Sequence, residues 1–213
     1  KILIMSEKTE QELREDLARA GKILFERGLT NGAAGNMSVA LPDGNFIVTP
    51  TGCSLGHLNI DELSKVDANG TLLSGKKPTK EVPFHIALYK VNPNVKAIIH
   101  LHSSYSTAYA CLDGLDPMNA IKPMTPYLVM RLGKVIVTPY RKPGSALIAD
   151  DISKVGAGNK AFLLANHGMV VGGKDMNDAL NNAQELEESC KLYFLTKGSN
   201  IRYLTDADIK ELL

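Results

Sequence analysis

The sequence predicts a single α/β domain with a mixed or largely antiparallel sheet covered by helices. Three observations carry this. Turn signals, "PDGN" at 42–45 and "DANG" at 67–70, separate short β-rich runs, so neighbouring strands should pair as hairpins. Other strand-like runs alternate with amphipathic stretches, which places helices against the sheet. The chain has 213 residues, 44% of them hydrophobic, with no linker-like stretch, repeat or low-complexity segment, so residues 1–213 read as one domain with one substantial core.

The elements follow in order. Residues 1–8 are expected to be a flexible N-terminal extension. Within it "KILIM" is too short and too weakly patterned for a signal peptide and reads as an appendage before a native start at Met5. Thr9 and Glu12 have capping-box spacing, Leu13, Leu17, Ala20 and Leu24 form one apolar stripe, and Gly28 supplies the stop, so the first helix spans this segment. A glycine-rich loop then leads into a hairpin around "PDGN", and a second strand pair at 63–66 and 71–73 flanks "DANG". Residues 81–91 read as a helix with a proline in its first turn, where the missing N–H does no harm, ended by Asn92-Pro93. A strand at 95–102 precedes a helix running to about Leu112. Strands are expected at 135–138, 161–165 and 169–172, with a helix at 145–156. A long helix follows Asp175, with Ala179, Leu180, Ala183, Leu186, Cys190, Tyr193 and Phe194 on its apolar face. Glu185, Glu187 and Glu188 are expected on its solvated face.

Charge and cysteine content exclude several classes. Lys plus Arg is 24 against 23 for Asp plus Glu, a net charge of +1 with no basic cluster, which gives no footprint for nucleic acid or an anionic membrane. No apolar run approaches the ~18–20 residues needed to span a bilayer. Three cysteines, Cys53, Cys111 and Cys190, without CxxC spacing suit a reducing compartment, and a cytoplasmic location is expected.

The chemistry-bearing residues begin with "IIHLH". Strand residues i and i+2 share a face, so His100 and His102 present two imidazoles side by side, either as a metal-binding pair or as two hydrogen-bonded histidines at a strand end. "LLANHGMVVGG" places His167 in a tight turn between two apolar strands, where Gly168 permits a sharp turn or a close backbone approach. Three of the five histidines at the ends of core strands suggest an open three-ligand zinc site. His57 and His85 read as structural. Glu81, opening a helix after a Pro-Thr-Lys turn, either complements the helix dipole or serves as fourth ligand or general base. The same helix start, with Thr79 and Lys80, suits an anion such as phosphate. Asn36 and Ser38 in "NGAAGNMS", and Thr51 with Gly52 in "TPTG", offer similar groups, although neither stretch is a known nucleotide fingerprint.

In this order, "GNMS", "TPTG", "KPTKE", "HLH" and "NHG" resemble the class II aldolase/adducin-head family, which includes L-fuculose-1-phosphate aldolase and L-ribulose-5-phosphate 4-epimerase. The resemblance runs from about residue 10 to residue 210. It implies a three-layer α/β/α domain with a mostly antiparallel sheet, assembled as a homotetramer with active sites between subunits. By motif match His100, His102 and His167 take the place of the zinc-binding histidines, with another divalent ion as the alternative occupant. Glu81 takes the place of the carboxylate that ligates the metal or acts as acid/base. Asn36, Thr51, Gly52, Thr79 and Lys80 fall where the family binds substrate phosphate. The family usually reads Ser-Ser where this chain has Thr79-Lys80. That pair, with "MTPYLVMRLG" and "PYRKPG", resembles the subgroup of 3-oxo-tetronate 4-phosphate decarboxylases. Tyr127 falls where the aldolases carry a proton-donating tyrosine, and Arg141 is a cation suited to a carboxylate on the substrate. The implied reaction is decarboxylation of a phosphorylated 3-keto sugar acid through an enediolate. The alternative is aldol cleavage or epimerisation of a ketose phosphate such as L-fuculose 1-phosphate or L-ribulose 5-phosphate. A non-catalytic scaffold like the adducin head has no reason to keep His100, His102, His167 and Glu81 together.

Overall fold

The computed structural model describes residues 8–213. Residues 1–7, and with them the expected start at Met5, lie outside the described part. Lys8 is ion-paired with Asp16, so the last residue of the expected extension is anchored to the first helix.

That helix, α1 (Glu10–Glu26), carries the capping box read from Thr9 and Glu12, and it buries Leu17, Ala20 and Leu24. The strands are β1 (Asn36–Ala40), β2 (Phe46–Val48), β3 (Ser64–Val66), β4 (Leu72–Ser74), β5 (Ala97–Leu101), β6 (Ile136–Thr138), β7 (Ala161–Leu164) and β8 (Gly168–Gly173). They form one eight-stranded sheet in the order β4-β3-β2-β1-β5-β8-β7-β6. Every neighbouring pair is antiparallel except β6 with β7, which pair in parallel.

Two apolar clusters lie on opposite faces of this sheet, which makes three layers. The first joins α1 to α3 (Ser104–Ala110), α4 (Pro126–Leu132) and α6 (Met176–Leu195) over Met37, Val39, Ile99, Leu101, Met169 and Val171. The second joins α2 (Val82–Val91) and α5 (Ala146–Val155) over Val48, Ile98, Phe162 and Val170. Strand alternation sorts the chemistry as well. Met37 and Val39 of β1, and Ile99 and Leu101 of β5, belong to the first cluster. Asn36, Ser38, Ile98 and His100 therefore look toward α2. That helix buries residues almost all round, His85 included, as a helix wedged between sheet and neighbour must.

The predicted helices and strands are present within a residue or two at their ends. Two short helices carried too little periodicity to be read, α4 and α7 (Asp206–Lys210). One expectation needs correction. Glu188 is exposed, but Glu187 is only 6% exposed and its two carboxylate oxygens accept from the backbone N–H groups of Tyr105 and Ser106 at 2.8 Å each. A buried carboxylate is stable where it satisfies the orphan donors and positive dipole end of a helix N-terminus, and α3 supplies both.

Candidate metal centre and active site

Three strands set the site. β1 and β5 pair with Asn36 opposite His100, and β5 and β8 pair with His100 opposite Val170. Across this triplet the chains approach very closely. A Cβ on Gly168 would lie 2.3 Å from the Leu101 carbonyl oxygen, and one on Gly35 would lie 2.7 Å from that of His100. Gly168 thus serves the close approach anticipated for it, while Asn166 (φ 55°) makes the left-handed turn before His167. Asparagine tolerates that conformation better than most residues.

The outcome is a triangle of imidazoles. Ring centroids are 4.8 Å apart for His100 and His102, 4.9 Å for His100 and His167, and 4.8 Å for His102 and His167. One ring nitrogen from each lies within 4.8 Å of the others. The His100 Nδ1–H donates to the Met169 carbonyl oxygen at 2.7 Å, so its Nε2 presents a lone pair. That Nε2 faces His102 Nε2 at 3.0 Å and Glu81 Oε2 at 3.3 Å. Glu81 Oε1 lies 3.7 Å from His167 Nε2, and His167 Nδ1 is buried without a hydrogen-bond partner among the described residues.

Burial keeps these histidines neutral. It pushes His100 down to about 3, and it lowers His102 and His167 as well, Glu81 partly opposing the shift in each case. Burial also penalises the Glu81 carboxylate, but His100, the Asn36 amide, His167 and His85 outweigh it, and the carboxyl lies below its ordinary value. Neutral imidazole nitrogens converging on an anionic oxygen are the donor set of a divalent ion, and three nitrogens with a neighbouring carboxylate suit zinc. The residues present fit a metal.

The other expected site residues divide into two groups. Asn36 belongs to the cluster: its Nδ2 donates to Glu81 Oε2 at 2.7 Å and its Oδ1 accepts from His85 Nε2 at 2.6 Å. Only its second amide hydrogen remains for a phosphate. Thr51, Gly52, Thr79 and Lys80 lie on two adjoining loops held by a bridge between Pro50 and Pro78, with Thr51 N donating to Lys77 O and Thr79 N to Thr49 O. Thr79 Oγ1 also accepts from Glu81 N. Gly144 of the "PYRKPG" loop packs on the Lys80 stem, a Cβ there falling 3.1 Å from Lys80 Cδ. Arg141 on that loop is not a free cation, since Nε and Nη2 donate to Asp151 at 2.7 and 3.3 Å. Tyr127 stands 59% exposed on the first turn of α4 and is not brought into the cluster. His57, read as structural, is exposed and meets the Phe25 ring edge-on at 5.1 Å. His85 was read the same way, yet it touches the site through Asn36. Its place on a helix gave no signal of that.

Comparison with known proteins agrees with this geometry. The family model for the class II aldolase and adducin N-terminal domain matches residues 15–194. The chain is 54% identical to the 3-oxo-tetronate 4-phosphate decarboxylase of Haemophilus influenzae, over 96% of this chain and 97% of that protein. It is 34% identical to the L-fuculose phosphate aldolase of Methanococcus maripaludis, over 82% of this chain and 92% of that one. The crystal structure of Escherichia coli YgbL superposes with a TM-score of 0.94 at 53% identity, covering 96% of this chain and 99% of the other. With the family model spanning most of its length, this chain belongs to the class II aldolase and adducin N-terminal domain family.

Proposed function

We propose that this protein is a divalent-metal lyase that decarboxylates 3-oxo-tetronate 4-phosphate to dihydroxyacetone phosphate and carbon dioxide. The observation that carries this reading is 54% identity along nearly the whole chain to decarboxylases of that name. The histidine cluster, buried at His100 and His167 and open at His102, supports it, because β-keto acid cleavage gains from a Lewis acid at the ketone.

His100, His102 and His167 would hold the ion, with Glu81 as a fourth ligand or as the acid/base beside it. Zinc is the proposed occupant. A bound ion would supply Lewis acidity to the reacting ketone. Loss of carbon dioxide moves the C1–C2 electron pair toward the ketone, and a proton delivered to C2 completes dihydroxyacetone phosphate. Glu81 would exchange protons at the hydroxyl beside the ketone, and Tyr127 is the candidate donor to carbon. The loops carrying Thr51, Gly52, Thr79 and Lys80 present N–H, hydroxyl and ammonium groups to the phosphate. Arg141 spends Nε and Nη2 on Asp151, so the rest of its fork is left for the substrate carboxylate.

Because Tyr127 is exposed on its own chain, its role requires a second copy, which is the reason to propose a homotetramer with active sites between subunits. Tyr127 and Met130, each 59% exposed one turn apart on α4, provide an apolar face for such contact. A cytoplasmic location is proposed from the three free cysteines. No helix among the described residues is long and apolar enough to cross a membrane.

Incubation of the zinc-loaded protein with 3-oxo-tetronate 4-phosphate is expected to release stoichiometric carbon dioxide. No release would overturn the proposal. Turnover of L-fuculose 1-phosphate or L-ribulose 5-phosphate in its place would assign the aldolase or epimerase chemistry that reaches a similar enediolate.

A further inference from the structure

Behind Glu81 runs a chain of buried hydrogen bonds, and its far members, His85, Ser38 and Tyr89, have no assigned part in binding the metal or the substrate. Tyr89 Oη lies 2.8 Å from Ser38 Oγ, and Ser38 Oγ lies 2.7 Å from His85 Nδ1. His85 Nε2 lies 2.6 Å from Asn36 Oδ1, and Asn36 Nδ2 lies 2.7 Å from Glu81 Oε2. Ser38 and His85 are fully buried, and Asn36 and Glu81 are each 6% exposed.

The direction of every bond follows from one end. A carboxylate only accepts, so the Asn36 amide must turn its NH2 to Glu81 and its oxygen to His85. His85 Nε2 must then carry the hydrogen, which leaves Nδ1 of the neutral ring as an acceptor. Ser38 therefore donates to His85 and accepts from Tyr89. All donors point the same way, from α2 through β1 and back to the first residue before α2. The amide of Asn36 interrupts any proton transfer, so the chain orients groups and carries no proton to the site.

We infer that His85 is a positioning residue for Glu81, acting through Asn36: by anchoring the asparagine oxygen it holds the amide against Glu81 Oε2 and so fixes how the carboxylate faces the histidines. The inference rests on the proposed metal-centre reading of Glu81. Without the His85 donor, the Asn36 oxygen loses its partner, and the amide is held only by its bond to Glu81 and can swing away from the carboxylate. Phe84, stacked on His85 at 4.7 Å and edge-on to His100 at 5.4 Å, packs between the two rings on the same wall of the site.

The test compares His85→Phe, His85→Gln, Ser38→Ala and Glu81→Gln with the parent protein. Zinc affinity is read by competition with a chromophoric chelator, without substrate, and decarboxylation kinetics are read separately. His85→Phe keeps the ring and its stacking but removes both nitrogens. It is expected to weaken zinc binding or lower kcat by about 10–100-fold, with KM within about twofold. His85→Gln, whose amide can donate to Asn36, is expected to restore most of the loss. Ser38→Ala, which leaves the imidazole in place, is expected to produce a smaller loss in the same direction.

A folded His85→Phe with unchanged affinity and kcat overturns the inference, and so does His85→Gln as impaired as His85→Phe. If His85→Phe does not fold, unchanged values in Ser38→Ala overturn it instead. Glu81→Gln separates the two levels. If it is impaired while His85→Phe is not, only the positioning role falls. If it too is unaffected in zinc affinity and turnover, the metal-centre reading of Glu81 falls with it.

Discussion

The two ends of the site are built differently. At the metal end, His100 is fully buried, Glu81 and His167 are 6% and 9% exposed, only His102 reaches the surface, and strand register fixes partners for most polar atoms. At the substrate end, Thr51, Gly52, Lys80 and Tyr127 are exposed, and they sit on loops or on a short helix. The contrast teaches where each property of the reaction resides. Gathering a metal needs only one copy of this chain, because the sheet imposes it. On the proposed reading, choosing what to bind and what to release falls to exposed groups that would complete their surroundings with substrate or a second copy.

The strongest way to break this division is His100→Ala. Metal content is expected to fall to background and carbon dioxide release with it, a larger loss than the about 10–100-fold caused by removing a supporting partner. The backbone pairing of β5 does not depend on the imidazole, so circular dichroism should be unchanged. Elemental analysis finding a full complement of metal would refute the assignment.

Lys80→Ala probes the other end. Metal content should stay at the parent level, while kcat/KM falls by about 10–100-fold, the equivalent of losing a charged hydrogen bond of about 1.5–3 kcal/mol. Loss of metal in this variant would mean that the two ends are not separable.

A pH titration of stability sharpens the metal end. Burial holds the His85 pKa at about 4 against an ordinary value of 6.5. Between those values the unfolded chain takes up a proton that the native metal-free protein refuses. Stability is therefore full above about pH 6.5 and is lost as the pH falls toward 4. His85→Phe should remove about one proton, roughly 1.4 kcal/mol per pH unit, from that slope. Thermal melts across the window will show whether the slope flattens.

The smallest effect is expected at Glu187→Gln, which removes charge from the cap of α3 but keeps an acceptor. A loss of about 1 kcal/mol would lower Tm by about 2–4 °C. Zinc affinity should not move, and a parallel loss of affinity would show that the cap also holds the segment carrying His102.

Most of the fold was legible because periodicity and turn chemistry agree along this chain, from the Thr9 capping box to the stripe of α6. The histidine triangle was legible because alternation alone puts His100 and His102 on one face, and because His167 interrupts an apolar run at a turn. Glu187 was not legible: in a run of glutamates on a helix, nothing local separates the one that caps a neighbouring element from those that meet water. His85 was hidden for a related reason. Its partners Ser38 and Asn36 come from a strand 47 and 49 residues away, and only the pairing of β1 against α2 brings them together. Arg141 read as an unassigned cation because Asp151, ten residues on, lies in a helix whose facing could not be deduced from the loop.

The strand order β1-β5-β8 has a consequence for biosynthesis. The His100 ring is oriented by a carbonyl 69 residues further along, and Glu81 is held by an amide 45 residues before it. No early portion of a growing chain contains the whole centre, so an ion cannot template the sheet as it can in a small zinc module. Capture of metal must follow the docking of β8, and its binding free energy is then added to a fold that already exists. A full complement of metal therefore requires a completed fold, whereas a completed fold does not require the metal.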